Sequence, residues 1–363
     1  MRNSRYTCIL SALIITPLNF IAAASAAADF PLAVGPAMIS PVVGEDCALC
    51  VMTLNDTDVN AMDKVLTLIN EKTTLEESYV IEVMTAMAGM GATVNTPEWL
   101  HYNTAADLKF CGIGCNDARD IAYEVSCSKK NLDAIAQQTE GRRKKLLIAD
   151  MESTIIENEM LDELAKDAGI HSQIADITKR AMNGEIDFET AIEERVKLLN
   201  GLNASALHNT AKRIRITEGA EQLITTMRSE GAYCALVSGG FSFYTSRIRL
   251  RLGFDFDQAN ELEIIDEVLT GHIIKPILGR SAKEDRLRAL CKQQNIPLSA
   301  TIAVGDGAND LSMLAIAGLG VAFHAKPIVA ERTAARVNHN SLTALLYLQG
   351  YKIEDFAIKD FYR

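Results

Sequence analysis

Proline and histidine are scarce in this chain, at 8 and 6 of 363 residues, tryptophan occurs once, and aromatic residues reach only 6%. With 8 prolines and 22 glycines, neither a collagen-like nor a low-complexity, disordered chain fits. The histidines, His101, His171, His208, His272, His324 and His339, are scattered without metal-ligand spacing and read as structural or surface residues. Positive charge is in deficit: 36 Lys and Arg stand against 47 Asp and Glu, a net charge of -11. Attraction to a phosphate backbone is therefore disfavoured, and no nucleic-acid partner is expected. Any anionic ligand must be met by a local positive site. Eight cysteines are too dispersed for a disulfide scaffold. Cys47-x-x-Cys50 and Cys111-x-x-x-Cys115 are irregular as metal motifs, so reduced, small hydrophobic residues are the expectation.

What is present is an ordinary globular composition, 48% hydrophobic and 23% charged, over a length that suits about two domains. Residues 1–28 carry Arg2 and Arg5, an apolar stretch from Cys8 to Ala24 and the small residues Ala24-Ser25-Ala26, the layout of a secretory signal. Pro17 and Asn19 interrupt that stretch. No other run approaches the roughly 18 apolar residues of a spanning helix, so no stable membrane anchor is expected. Met62 precedes an apolar-rich segment at which a shorter chain would start. We therefore divide the sequence into an extension, 1–61, a small α+β domain, 62–140, and a larger domain, 141–363. In the small domain the pattern predicts a strand near Leu66, a helix over Glu76 to Met90, one strand around Trp99 to Phe110, and a further helix. The run Gly141-Arg142-Arg143-Lys144-Lys145 reads as a solvated linker.

Beyond it, short apolar runs at Leu146 to Ala149, Tyr233 to Val237, Thr301 to Val304 and Val321 to Phe323 alternate with amphipathic helical stretches. Buried strands separated by helices predict an α/β fold with a parallel, Rossmann-like sheet covered on both faces. The first three strands end in Asp150-Met151-Glu152-Ser153-Thr154, Ser238-Gly239-Gly240 and Gly305-Asp306-Gly307-Ala308-Asn309-Asp310. Ligands of open α/β sheets bind at the carboxyl ends of strands, so these clusters should converge. Between the first two lie helical patterns at 162–168, 174–182, 188–199 and 205–213, a candidate cap at about 160–220. Asp150 and Asp306 would reach one hard cation, and oxygen ligands without His or Cys select Mg²⁺. An aspartate so placed, beside backbone N–H groups and a lysine, is a nucleophile suited to phosphorus.

DMEST at 150–154, SGG at 238–240, Lys283 and GDGAND at 305–310 resemble the four motifs of the haloacid dehalogenase superfamily. Within it, 142–351 resembles the phosphoserine phosphatase family, which also shares Glu159, AMNGEIDFETAIEERV at 181–196 and LTALLYLQGY at 342–351. The resemblance implies the superfamily fold with an inserted helical cap and an Mg²⁺-dependent hydrolysis of O-phospho-L-serine, the last step of serine synthesis. It implies that Asp150 attacks phosphorus while Asp150, Asp306 and the backbone carbonyl of Glu152 hold Mg²⁺. Ser238, the Gly239 N–H, Lys283 and Asn309 would hold phosphate oxygens, and Asp310 would orient Lys283 or the metal's water. Glu159 would pair with the substrate ammonium and Arg195 with its carboxylate, with Met182 and Phe188 lining the pocket. The family usually has Asp where this chain has Glu152, whose role would be general acid and then general base. Dimers are common in the family, which leaves a homodimer open, and the implied pathway suggests a cytoplasmic protein, with export as the alternative if residues 1–28 act as a signal. The competing readings are a phosphatase or phosphotransferase for another small phosphomonoester, and a phosphate-binding protein that has lost catalysis through Glu152.

Overall fold

The computed structural model describes residues 62–125, 131–183, 185–279 and 281–357, and for Met182 the backbone only. The first sheet is built from β1 (Lys64–Ile69), α1 (Glu77–Gly89), β2 (Thr93–Val94), β3 (Glu98–His101), β4 (Ala105–Cys111), α2 (Cys115–Val125) and β5 (Asp133–Gln138). Its strands run β2-β4-β1-β5, with β3 paired to β4, and every pairing is antiparallel. KVLTLI of β1 is apolar almost throughout because both of its faces are covered. Leu66 and Leu68 pack with Tyr79, Val83 and Ala118 under the helices. Ile69 points the other way, into the core of the larger sheet beside Leu147 and Tyr347. The stretch read as one strand around Trp99 to Phe110 is a hairpin, because Asn103, at φ 58, takes the left-handed conformation a tight turn needs.

The second sheet begins with β6 (Leu146–Ala149). The chain then leaves it through α3 (Met160–Asp167), α4 (His171–Met182), α5 (Phe188–Lys197) and α6 (Ser205–Ala211), and returns by α7 (Ala220–Ser229) to β7 (Tyr233–Phe241). It continues through α8 (Ser242–Leu252), β8 (Phe256–Ile265), β9 (Val268–Ile274), α9 (Ala282–Gln294), β10 (Thr301–Gly305), α10 (Leu311–Ile316), β11 (Leu319–Phe323), α11 (Pro327–Arg332), β12 (Ala335–Val337) and α12 (Ala344–Leu348). The order is β12-β11-β10-β6-β7-β8-β9. All neighbours are parallel except β8 and β9, an antiparallel edge hairpin that departs from the expected parallel sheet. Leu146 and Ile148 face Leu287 and Leu290, while Leu147 and Ala149 face Leu223 and Leu345, so two-sided burial accounts for the uninterrupted apolar run.

Four helices, α3 to α6, are inserted between β6 and α7. The two segments leading into and out of the insert pair with each other: Ile156 bridges Ile216, Glu157 N–H donates to Arg215 O at 2.9 Å, and Thr217 N–H donates to Ile155 O at 3.0 Å. The basic run is not the expected solvated linker. Arg142, its side chain 10% exposed, is wedged between the sheets with its guanidinium 2.6 Å from Asp107 Oδ2 on β4, and Lys144 is buried with Nζ donating to Ser299 O at 2.9 Å. Among the described residues, no helix is long and apolar enough to cross a membrane. Cys111, Cys115, Cys234 and Cys291 are free thiols, whereas Cys8, Cys47, Cys50 and Cys127 lie outside the described residues.

Candidate active site

The polar clusters that follow β6 and end β10 meet Ser238-Gly239-Gly240, within the last residues of β7, at the carboxyl ends of these strands. Asp150 is the residue after β6, and its N–H donates to Val304 O on β10 at 3.0 Å, so strand pairing itself fixes the start of the loop. Its carboxylate is turned back, with Oδ1 accepting from the Met151 N–H at 2.8 Å. Lys283, at the start of α9 and 4% exposed, places Nζ 2.6 Å from Asp150 Oδ1 and 2.5 Å from Asp310 Oδ1. Asp310 also accepts from the Gly307 N–H at 2.9 Å. A side chain at position 305 would stand 2.4 Å from the Asp310 carboxyl, so the first glycine of GDGAND is needed for this close approach. Asp306, 6% exposed, lies 3.4 Å from Lys326 Nζ.

Carboxylate oxygens of Asp150, Asp306 and Asp310 lie within 4.8 Å of one another. Three buried carboxylates against one buried ammonium and one exposed ammonium leave negative charge uncompensated. All the donors are oxygen, and among the described residues no His or Cys joins the group. The cluster therefore fits a hard divalent cation. Burial pushes Asp150 up to about 7, and Asp310 adds to the rise, while Lys283 acts in the opposite sense. Asp306 is also raised by burial, against Lys326. Burial acts against the Lys283 charge, but Asp150 and Asp310 outweigh it and hold the ammonium above its ordinary value.

A cavity of about 150 Å³ opens from this cluster toward the insert. Asp150, Glu152, Asp306, Asn309, Ser238 and Gly239 line its sheet side, and Glu159, Asp162, Phe188 and Arg195 line its cap side. Phe188, the first residue of α5, lies over Gly239, where a Cβ would meet its ring at 3.1 Å. Ser238 Oγ accepts from the Gly240 N–H at 2.9 Å. Ser153 Oγ, on a residue with φ 54, donates to Glu159 Oε1 at 2.7 Å. Arg195 is half-buried on α5, its Nε donating to Ala191 O at 3.2 Å, and it faces the carboxylates of Glu152, Asp162 and Glu159. Burial raises Glu152 to about 8, with Glu159 the next contributor.

Of the residues singled out in the sequence, Asp150, Glu152, Glu159, Phe188, Arg195, Ser238, Gly239, Asp306 and Asn309 line this one cavity, with Lys283 and Asp310 directly behind its acidic end. The Met182 side chain lies outside the described part of the structure. Glu284, a neighbour that competes on paper for Lys283, pairs instead with Arg288 at 2.9 Å. Sequence reasoning missed Asp162 and Lys326. The signal for Lys326 was available, since it follows a fourth strand, β11, of the same sheet and so belongs to the same row of strand ends. A larger, open depression of about 520 Å³ beside Lys145 and Tyr233 lies at the opposite, amino ends of β6 and β7, away from the acidic cluster.

The profile of the haloacid dehalogenase-like hydrolases matches residues 147–315, the span from β6 to α10. A phosphoserine phosphatase of Streptomyces coelicolor is 40% identical over 258 residues, 71% of this chain and 63% of its own length, so the chain spans less than two thirds of that relative. A phosphoserine phosphatase of Methanocaldococcus jannaschii is 40% identical over 205 residues, 56% of this chain and 97% of its own. A solved structure described as a phospho-aspartyl intermediate analogue of phosphoserine phosphatase superposes with a TM-score of 0.54 at 40% identity, covering 56% of this chain and 98% of that one. On this similarity and the motifs that carry it, the chain belongs to the phosphoserine phosphatase family of the haloacid dehalogenase-like hydrolases.

Proposed function

We propose that the chain hydrolyses O-phospho-L-serine to L-serine and phosphate, with Asp150 carrying the phosphoryl group between two displacements and Mg²⁺ as cofactor. The observation that carries this reading is a single cavity with a buried carboxylate and ammonium at one end and, on the cap side, charges of both signs, Asp162 beside the pair Glu159 and Arg195. An amino acid presents one ammonium and one carboxylate, and this pair matches both. A sugar phosphate would call for neutral hydrogen-bonding groups there.

In the first step an Asp150 oxygen attacks phosphorus, and the bond from phosphorus to the seryl oxygen breaks with its electron pair staying on that oxygen. Glu152 protonates the oxygen as it leaves. Its carboxyl, raised to about 8 by burial, holds a proton at neutral pH and is a competent donor. In the second step water attacks phosphorus, Glu152 takes its proton, and the bond to Asp150 breaks to release phosphate and restore the carboxylate. Lys283, Ser238, the Gly239 N–H and Asn309 hold the phosphate oxygens, and Asp310 keeps Lys283 in place. Asp150, Asp306 and the backbone carbonyl of Glu152 would hold Mg²⁺, which would supply the positive charge that lets a carboxylate approach an anionic phosphate. Glu159 takes the substrate ammonium, Arg195 its carboxylate, and Phe188 closes the pocket. The phospho-aspartyl analogue of a relative at 40% identity supports the covalent route. Free thiols at Cys111, Cys115, Cys234 and Cys291 support the cytoplasm as the compartment.

The test is phosphate release from O-phospho-L-serine and a panel of other small phosphomonoesters, with Mg²⁺ or EDTA, by the full chain and by Arg195→Ala. The expected result is metal-dependent release selective for phosphoserine, with kcat/KM lower by at least tenfold in the variant. Equal turnover of many esters would remove the substrate assignment, and no turnover would remove the enzymatic one.

A further inference from the structure

We propose that Glu152, besides the proton transfers assigned to it above, is the positioning residue that seats the first cap helix, α3, over the site, and that its extra methylene is what lets it do so. Glu152 Oε1 accepts from the N–H of Met160, the first residue of α3, at 2.7 Å. The first-turn N–H groups of a helix have no partner within the helix and take an acceptor from outside it. Glu159 occupies the N-cap position, yet among the described residues its side chain makes no capping bond to α3 and instead accepts from Ser153 Oγ. Glu152 therefore reaches across from the strand side and supplies an acceptor where the N-cap supplies none. Glu159, the residue immediately before that bond, is thereby held at the cavity with its carboxylate free of capping.

The surroundings of Glu152 fit this role. Its backbone is pinned by a bridge to Ile156, which in turn pairs with Ile216 on the segment returning from the cap. Its second oxygen lies against Gly240, where a Cβ would come within 2.7 Å of Oε2, so a bare glycine provides the space for the longer acid. With Oε1 accepting from an N–H, Oε2 is the oxygen left to carry a proton. An aspartate on the same backbone falls short of Met160 by about one bond, roughly 1.5 Å, and loses the hydrogen bond. The carboxyl thus ties together the nucleophile loop and the helix that follows Glu159.

Two variants separate length from charge. Glu152→Asp keeps the acid and shortens the reach, whereas Glu152→Gln keeps the reach and an acceptor oxygen but loses the acid. Amide hydrogen exchange of Met160 and the first turn of α3, measured in the full chain without substrate, should speed up on the order of tenfold in Glu152→Asp and stay near the native rate in Glu152→Gln. The KM for phosphoserine should rise about three- to tenfold in Glu152→Asp, while Glu152→Gln should keep KM and lose kcat. Native exchange in Glu152→Asp would overturn the proposal, as would equal loosening by both variants. Only the kinetic arm rests on the phosphoserine reading. If the native chain fails to hydrolyse phosphoserine, that reading falls while the exchange data still decide the anchoring.

Discussion

At the scale of single residues, the site is governed by how many carboxylates share how little positive charge. Asp150 and Asp310 both lean on Lys283, at 2.6 and 2.5 Å, and all three side chains are buried. Removing one partner of a buried ionic group typically costs about 3–5 kcal/mol, because the remaining charge is left uncompensated. Lys283→Met should therefore lower the melting temperature of the metal-free chain, and Mg²⁺ should restore more of it than it adds to the native chain, since a bound cation replaces the lost charge. Thermal melts with Mg²⁺ and with EDTA check this, and an equal Mg²⁺ effect in both proteins would contradict it. Asp150→Asn keeps the shape but removes the nucleophile, so rapid quench with labelled substrate should find no phosphoenzyme; any trapped phosphoenzyme would sink the assignment. Glu152→Gln should lower kcat by about 10²–10⁴, the usual worth of a positioned acid. Asp150, Ser238 and Asp306 were legible because each follows a short apolar run, whereas Lys283 was legible only through the family resemblance. Lys326 also follows an apolar strand but was passed over, because a lone lysine after a strand, like Asp162 in a helix's first turn, has a common solvated reading.

At the scale of elements, legibility followed burial. β6 and β10 are buried on both faces and bounded by polar clusters, so their ends were placed within one residue. The hairpin β8–β9 escaped because β8, between β7 and the edge strand β9, carries Asp257, Glu261 and Glu263 among apolar residues, a pattern that reads as polar connection until the register is known. A tight geometric demand falls on the entry to α7, where the chain returns from the cap. Gly219 is its N-cap at φ 82, and a Cβ there would stand 2.6 Å from Thr343 N and 3.0 Å from Leu342 N. Both atoms are backbone, and Leu342 N–H already donates to Glu218 O, so neither can yield cheaply. Gly219→Ala should cost about 1–3 kcal/mol through left-handed strain and this clash, read as a lower denaturant midpoint with an unchanged slope. A variant as stable as the native chain would show that the return segment has slack.

At the scale of the molecule, the two sheets share a core that no local pattern announces. Ile69, Leu100, Ala105 and Ile135 of the first sheet pack in one cluster with Leu147, Tyr347 and Leu348 of the second part. Asp133 on β5, fully buried, accepts from the N–H groups of Asn338, His339 and Asn340 and from the Asn340 side chain. Glu71 accepts from the Ser341 N–H and from Thr343 Oγ1. The basic run was misread for the same reason: the partners of Arg142, which are Asp107, Thr67, Tyr347 and Leu348, lie far away in sequence, so its spacing suggested only a linker. Arg142 is thus the test of whether the parts fold as one. Arg142→Met leaves Asp107, 2% exposed, without its ion pair and should cost about 3–5 kcal/mol. Combining it with Asp107→Leu removes both charges and should recover most of that loss, since a buried ion pair replaced by apolar groups is often near neutral. If the shared core makes the sheets one cooperative unit, urea unfolding followed by Trp99 fluorescence and by far-ultraviolet circular dichroism should give coincident transitions in all three proteins. Trp99 reports the first sheet, whereas the backbone signal is dominated by the second. Separation of the two curves in Arg142→Met alone would mean that this one guanidinium couples the sheets, and separation in the native chain would mean that the shared core does not.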